Sequence, residues 1–214
     1  MARVTGPLMS LSARGSIAGT LVFADWKGID YARQHVIPAN PNSSGQQLTR
    51  NVFSWLNNVF RYWPGAALDG WNAYAAVSRF TAANGFMKQN IGGLRSETDL
   101  ANMIFNPASR GGIAAASVGL TPASTQITAA VTAPSLPTGW TITAAHGIAI
   151  RDQDPQTESL PQTEYETDAS TPYSLVFTGL TDSVLYYVGV WFEFLRDDGL
   201  TAYGVSISDS DTPA

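Results

Sequence analysis

GLTDSVLYYVGVWFEFLRDDG, residues 179–199, decides how the rest of this chain is read. From Val184 to Phe194 every even position is apolar: Val184, Tyr186, Val188, Val190, Phe192 and Phe194. That is the period of a strand with one face in a core. The odd positions Leu185, Tyr187, Trp191 and Leu195 are apolar as well. A strand of an antiparallel sandwich ordinarily wets its second face. The second face of this one is therefore expected to be an interface, covered by the first half of the chain, by a neighbouring subunit, or by residues 152–172. Asp197-Asp198-Gly199 then supplies a tight hairpin turn into a strand over 200–208.

Upstream, alternation predicts strands over 125–133, 140–151 and 173–178, so residues 125–214 read as a β-sandwich. This half resembles a fibronectin type III module. Leu180 stands six residues before Tyr186, Val188 and Val190 then alternate inward, and Trp140 falls early, where such modules keep a core tryptophan. The resemblance implies a tyrosine corner, with the Tyr186 hydroxyl bonded back to upstream backbone. Residues 152–172 depart from the pattern, being long, acidic and proline-containing.

Working outward again, SRGGIAAASVGLTPAST (109–125) is small and almost uncharged, and the stretch 111–124 is expected to be a linker. Before it the period changes to that of helices, and residues 1–110 read as an α+β module of a β-hairpin and aromatic-rich helices. Strands over 17–26 and 29–37 flank a Lys27-Gly28 turn. Pro38 and Pro41 then enforce an extended arm. Ser43 and Gln46 form a capping box. Leu48, Val52, Trp55, Leu56, Val59, Phe60 and Trp63 follow as one helical stripe, ended by Pro64-Gly65. A second helix is expected from Asp69 to an Asn84-Gly85 cap, and a third over Glu97–Phe105.

Composition narrows the chemistry. Of 214 residues 44% are hydrophobic and only 14% charged, against roughly 25% in ordinary soluble proteins. Some apolar surface is thus expected to be covered by partners. Residues 1–110 carry ten Lys/Arg and five Asp/Glu, while 111–214 carry two and twelve; the halves face different surroundings. With no cysteine, thiolate catalysis and thiolate-held metals are excluded. His35 and His146 are far apart in sequence and read as structural or exposed histidines. The acidic residues of 152–168 lack the spacing of an EF-hand and read as a solvated loop. The cations of the first half are scattered, without a nucleic-acid-binding signature. Neither a signal peptide nor a spanning segment is expected. The chain reads as a non-enzyme without cofactor or metal.

The first half also resembles a segment of tailed-bacteriophage virion proteins over residues 6–90. The residues that carry the likeness are GPLMSLSARGSIAGTLVFADWKG, then Tyr31 and Arg33, Pro38, Asn40 and Pro41, Ser43, Gln46 and Arg50, and later Trp71, Asn72, Tyr74 and Ala75. The resemblance implies a structural virion component, made in the host cytoplasm. It would be anchored by residues 1–110 and display the sandwich, with other virion proteins and copies of itself as partners. The assembly residues are then Lys27, Tyr31, Arg33, Pro38, Asn40, Pro41, Ser43, Gln46 and Arg50. Arg33 and Arg50 flank the arm and are placed to clamp carboxylates; the other role open to the arm is an intramolecular elbow. A carbohydrate- or host-surface-binding module, using residues 152–172 or Trp191 as its platform, is the competing reading.

Overall fold

A computed structural model of the chain describes residues 2–3, 15–37, 42–96, 100–157 and 161–214. It divides into two units, Met1–Asn42 and Ser43–Ala214. This moves the expected boundary from 111–124 back to the end of the proline arm.

The first unit is an antiparallel sheet of β1 (Ala2–Arg3), β2 (Gly15–Ile17), β3 (Leu21–Trp26) and β4 (Ile29–Gln34), ordered β1-β4-β3-β2. Lys27 (φ 53°) and Gly28 (φ 75°) make the predicted hairpin turn, both left-handed as a type I′ turn requires. The strand expected over 17–26 is two strands. Ala18 (φ 50°) and Gly19 (φ 64°) repeat the same turn chemistry one hairpin earlier. The Thr20 N–H donates to the Ile17 carbonyl at 3.0 Å, folding β2 back on β3.

The second unit begins with three helices, α1 (Ser44–Tyr62), α2 (Gly65–Ala76) and α3 (Ala82–Ser96). The expected capping box is present at the start of α1: the Ser43 N–H donates to Gln46 Oε1 at 3.3 Å, and the Ser43 side chain accepts from the Gln46 backbone N–H. The predicted stripe is its inner face: Val52, Trp55, Leu56, Val59 and Trp63 are buried. Pro64 ends α1, having no N–H to continue it, and α2 starts at once rather than at Asp69. Asn84-Gly85 does not cap α2. Thr81 Oγ1 accepts the Asn84 N–H at 3.3 Å, so the pair lies in the first turn of α3. No helix covers 100–105, which runs as turns.

The sandwich follows. One sheet is β5 (Ser117–Ala123), β6 (Gln126–Thr132) and β9 (Tyr173–Thr178). The other pairs β8 (Thr163–Asp168) with β7 (Thr141–Arg151), and β7 with β10 (Tyr186–Leu195). Along the free edge of β10 run β11 (Thr201–Tyr203) and β12 (Ile207–Asp211), two halves of one broken strand. This is an immunoglobulin/fibronectin III-like arrangement of three strands against four, with β8 in the place of the short extra edge strand. Two expectations change here. Residues 117–123, read as linker, form an edge strand, where Pro122 and Gly119 are tolerated. Part of the acidic 152–172 segment is likewise a strand, paired from Ala145 to Ile150 of β7. The tyrosine corner is as expected: the Thr181 N–H donates to the Tyr186 hydroxyl at 3.0 Å.

Two cores share the central sheet. Tyr186, Val188, Val190, Phe192 and Phe194 pack against Ile127, Ala129, Leu175 and Phe177 of the facing sheet. The opposite face, with Tyr187, Trp191, Ile148, Ile150 and Tyr203, packs into one cluster with Trp63, Trp71, Phe86 and Phe105 of the helical layer. Gly189 lets the layers meet, because a Cβ there would lie 2.3 Å from the Phe105 ring. Asn106 fastens them at the break between β11 and β12. Its Nδ2 donates to the Gly204 carbonyl at 2.7 Å, and its backbone N–H to Ser206 Oγ at 3.1 Å. The Trp71 indole donates to the Phe105 carbonyl at 2.8 Å from the helical side.

Candidate functional site

The residues expected to dock the protein fall in both units. On the first, β3 and β4 pair Phe23 with Ala32 and Trp26 with Ile29. Directly opposed residues share a face, so Val22, Ala24, Trp26, Ile29, Tyr31 and Arg33 line one side of the sheet. Trp26 is 64% exposed and Ile29 46%. With Tyr31 and Arg33 they line a shallow concavity of about 400 Å³. The Lys27 ammonium lies 5.0 Å from the Trp26 ring centroid, a cation–π contact that holds a positive charge at the rim. The other side carries Ile17, Leu21, Phe23 and Asp25, of which Phe23 is buried. Pro38, Asn40 and Pro41 lie outside the described residues.

On the second unit, Ser43, Gln46 and Arg50 come together at the start of α1. With Gly45, Thr49, Phe53 and Arg95 they line an open concavity of about 620 Å³. The first turn of α1 holds no acidic side chain, so the helix N-terminus and two guanidinium groups give this surface a positive character. The described side chains that line it include neither a carboxylate nor a histidine.

Of the covers expected for the second face of β10, the first half of the chain is the one that supplies it. Tyr187 and Trp191 are buried and Leu185 partly buried in the core shared with the helices. Leu195, at 43%, remains exposed. The apolar odd positions are there because the chain's own helices cover them.

Sequence reasoning missed a polar cluster inside that covered face. His146 is buried on β7, where its Nε2 lies 3.1 Å from Glu193 Oε2 on β10 and its Nδ1 2.7 Å from the Tyr165 hydroxyl on β8. Its ring stacks on Trp191 at a centroid distance of 5.7 Å. Burial lowers the His146 pKa below the ordinary 6.5, against the opposing pull of Glu193 and Asp69. The ring is therefore neutral at pH 7. A carboxylate can only accept, so Nε2–H donates to Glu193 and Nδ1 accepts from the Tyr165 O–H. Carboxylate, imidazole and phenol in a row look like a nucleophile relay, but burial pushes the Tyr165 pKa up to about 12. That is the wrong direction for an activated nucleophile. The cluster joins three neighbouring strands beneath the helices.

Two acidic side chains of the second half, Asp168 and Asp154, are engaged in local structure. Asp168 accepts the backbone N–H groups of Ser170 at 3.0 Å and Ser174 at 2.8 Å, which hold its pKa down. Asp154 accepts from the Gln156 N–H at 2.8 Å. Among the described residues no group of three or more His, Asp or Glu is placed to hold a metal ion. No helix among them is long and apolar enough to cross a membrane.

No protein-family model matches the chain, and no curated protein matches it. Solved structures similar to it include a myokine, at 12% identity and TM-score 0.34, covering 48% of this chain and 99% of the myokine. A computationally redesigned β-sandwich protein matches at 21% identity and TM-score 0.32, covering 46% and 86%. The chicken interferon gamma receptor alpha chain matches at 17% and 0.35, covering 49% and 53%. Likeness at this level carries no statement about activity or partners.

Proposed function

We propose that the protein is a non-enzymatic structural component of a bacteriophage virion, held to the particle through its N-terminal unit and displaying the sandwich. The observation that carries this reading is the first unit itself. Its sheet bears the residues of the virion-like pattern, Lys27, Tyr31 and Arg33, on or beside a face that leaves Trp26 and Ile29 exposed. Trp, Tyr and Arg are the side chains that most often anchor protein interfaces. The anchor is accordingly narrower than the 1–110 of the sequence reading. The helices share a core with the sandwich, which leaves residues 1–42 and the Ser43–Arg50 surface as the docking elements.

A capsid or head-proximal position is favoured, as for displayed sandwich domains generally. Other virion proteins are the partners, without membrane or direct nucleic-acid contact. The carbohydrate-binding alternative keeps residues 152–172 as a platform but not Trp191, which is 1% exposed. Cryo-electron microscopy of purified virions with a label at Ala214 tests the proposal. Label arrayed on particles supports it, on the head or neck as favoured. Protein present in infected cells with unlabelled virions would overturn it.

A further inference from the structure

Where the end of α1 meets the sandwich, Tyr62, Gln162, Thr163, Glu164, Thr181 and Tyr186 line a concavity of about 370 Å³. That volume falls within the range of about 300–1,000 Å³ for small-ligand sites. Its walls come from three places in the chain: the last residue of α1, the start of β8, and the corner between β9 and β10. Helices and sandwich share one core, so these walls are fixed against one another.

The rim is held by hydrogen bonds that leave its other polar groups unused. The Arg151 guanidinium donates to Gln162 Oε1 at 3.2 Å, and the Gln162 N–H donates to Oε1 of the buried Gln153 at 3.3 Å. The two N–H donors of the Gln162 side chain are not spent in these bonds. At the corner, the Tyr186 hydroxyl accepts from the Thr181 N–H at 3.0 Å. A hydroxyl also donates, and Tyr186 is only 3% exposed. Among the described residues its O–H meets no acceptor, and the Glu164 carboxylate and Tyr62 hydroxyl have no partner either. A buried donor without an acceptor is costly, and a ligand group in the concavity relieves it.

The Tyr62 ring is the second feature. It is 62% exposed, and it also borders another concavity, of about 330 Å³, with Asn58 and Arg61. Such a ring is an amphipathic platform, apolar on its face and polar at its tip. A matching ligand carries an apolar C–H face and a hydroxyl on nearly every carbon. A wholly apolar ligand would strand the polar groups of the concavity, and a phosphorylated one would meet the Glu164 carboxylate.

We infer that this groove binds a carbohydrate, with one sugar ring stacked on Tyr62 and its hydroxyls on Glu164, Gln162 and Tyr186. The carboxylate accepts from sugar hydroxyls, while the amide and the phenol donate to their oxygens. Gln162 and Glu164 belong to the 152–172 segment, and the structure joins Tyr62 and the Tyr186 corner to them. The inference adds an activity to this body of the chain and does not rest on the virion proposal.

Saturation-transfer NMR and calorimetric titration of the full-length chain test it. The probes are neutral sugars and oligosaccharides of glucose, galactose, mannose and N-acetylglucosamine. At least one is expected to bind. Tightest binding by a single sugar supports the inference with a free sugar as the source. Tightest binding by linked units supports it with a glycan chain that continues past the ring towards Arg61. Tyr62→Ala should weaken binding about tenfold or more, and Glu164→Gln about threefold. Both side chains are exposed, and a denaturant titration reports that the fold is kept. Trp26→Ala, in the other unit, should bind as the unaltered chain does. Absence of binding by every probe at about 10 mM would overturn the inference. So would binding that neither Tyr62→Ala nor Glu164→Gln weakens, since the site would then lie elsewhere. Sugar binding with unlabelled virions would sink the virion proposal alone, and labelled virions without sugar binding this inference alone.

Discussion

Trp26 and Trp191 both stand on antiparallel strands, in sheets with apolar side chains on either face, yet one is 64% exposed and the other 1%. The central sheet of the sandwich has another sheet on one face and three helices on the other. The N-terminal sheet, taken by itself, leaves apolar side chains open on both faces. A two-sided apolar strand is therefore a statement that something covers it, without saying what. In β10 the cover is the helical layer of its own unit; in β3 and β4 the unit by itself leaves Trp26 and Ile29 exposed.

Substitutions sharpen that contrast. Trp191→Ala should cost about 3–5 kcal/mol of unfolding stability, the range for deleting a fully buried indole, measured by denaturant titration. Gly189→Ala should cost about 1–3 kcal/mol, because the new methyl would meet the Phe105 ring. Removing only the tyrosine-corner hydroxyl, by Tyr186→Phe, should cost about 1 kcal/mol in the same titration. Trp26→Ala should stay within about 0.5 kcal/mol. A loss at Trp26 comparable to that at Trp191 would mean that the first sheet is covered within the monomer.

Acid probes the covered face from another side. The folded-state pKa of His146 lies below its ordinary value of 6.5. The unfolded chain thus takes up the proton first as pH falls, so the contribution of this residue to stability is complete above about pH 7. It declines below about 6.5, down to the folded-state pKa. His146→Gln should flatten that part of a stability–pH curve. An unchanged slope would show that other groups carry it.

How much of this was legible follows from what each feature depends on. The core face of β10, the stripe of α1, the Lys27-Gly28 turn and the tyrosine corner rest on local spacing, and the sequence carries them openly. The strands β5 and β8 were hidden because edge strands admit Pro, Gly and acidic residues that mark loops elsewhere. Asn84-Gly85 misled because Thr81, three residues before Asn84, begins a helix where the Asn-Gly pair suggested an end. The His146–Glu193–Tyr165 cluster depends on register. His146 opposes Trp191 and Thr167, which makes Glu193 and Tyr165 its diagonal neighbours. Nothing in the spacing of 19 and 47 residues announces that.

Amide hydrogen exchange on the full-length chain, at a dilution where it is monomeric, tests the account most directly. The amides of α1–α3 are predicted to share the slowest class with β10, because helices and sandwich open as one cooperative body. Those of residues 21–34 are predicted to exchange at least about a hundredfold faster. Helices that exchange as a separate, faster class, or a first sheet as protected as β10, would contradict it.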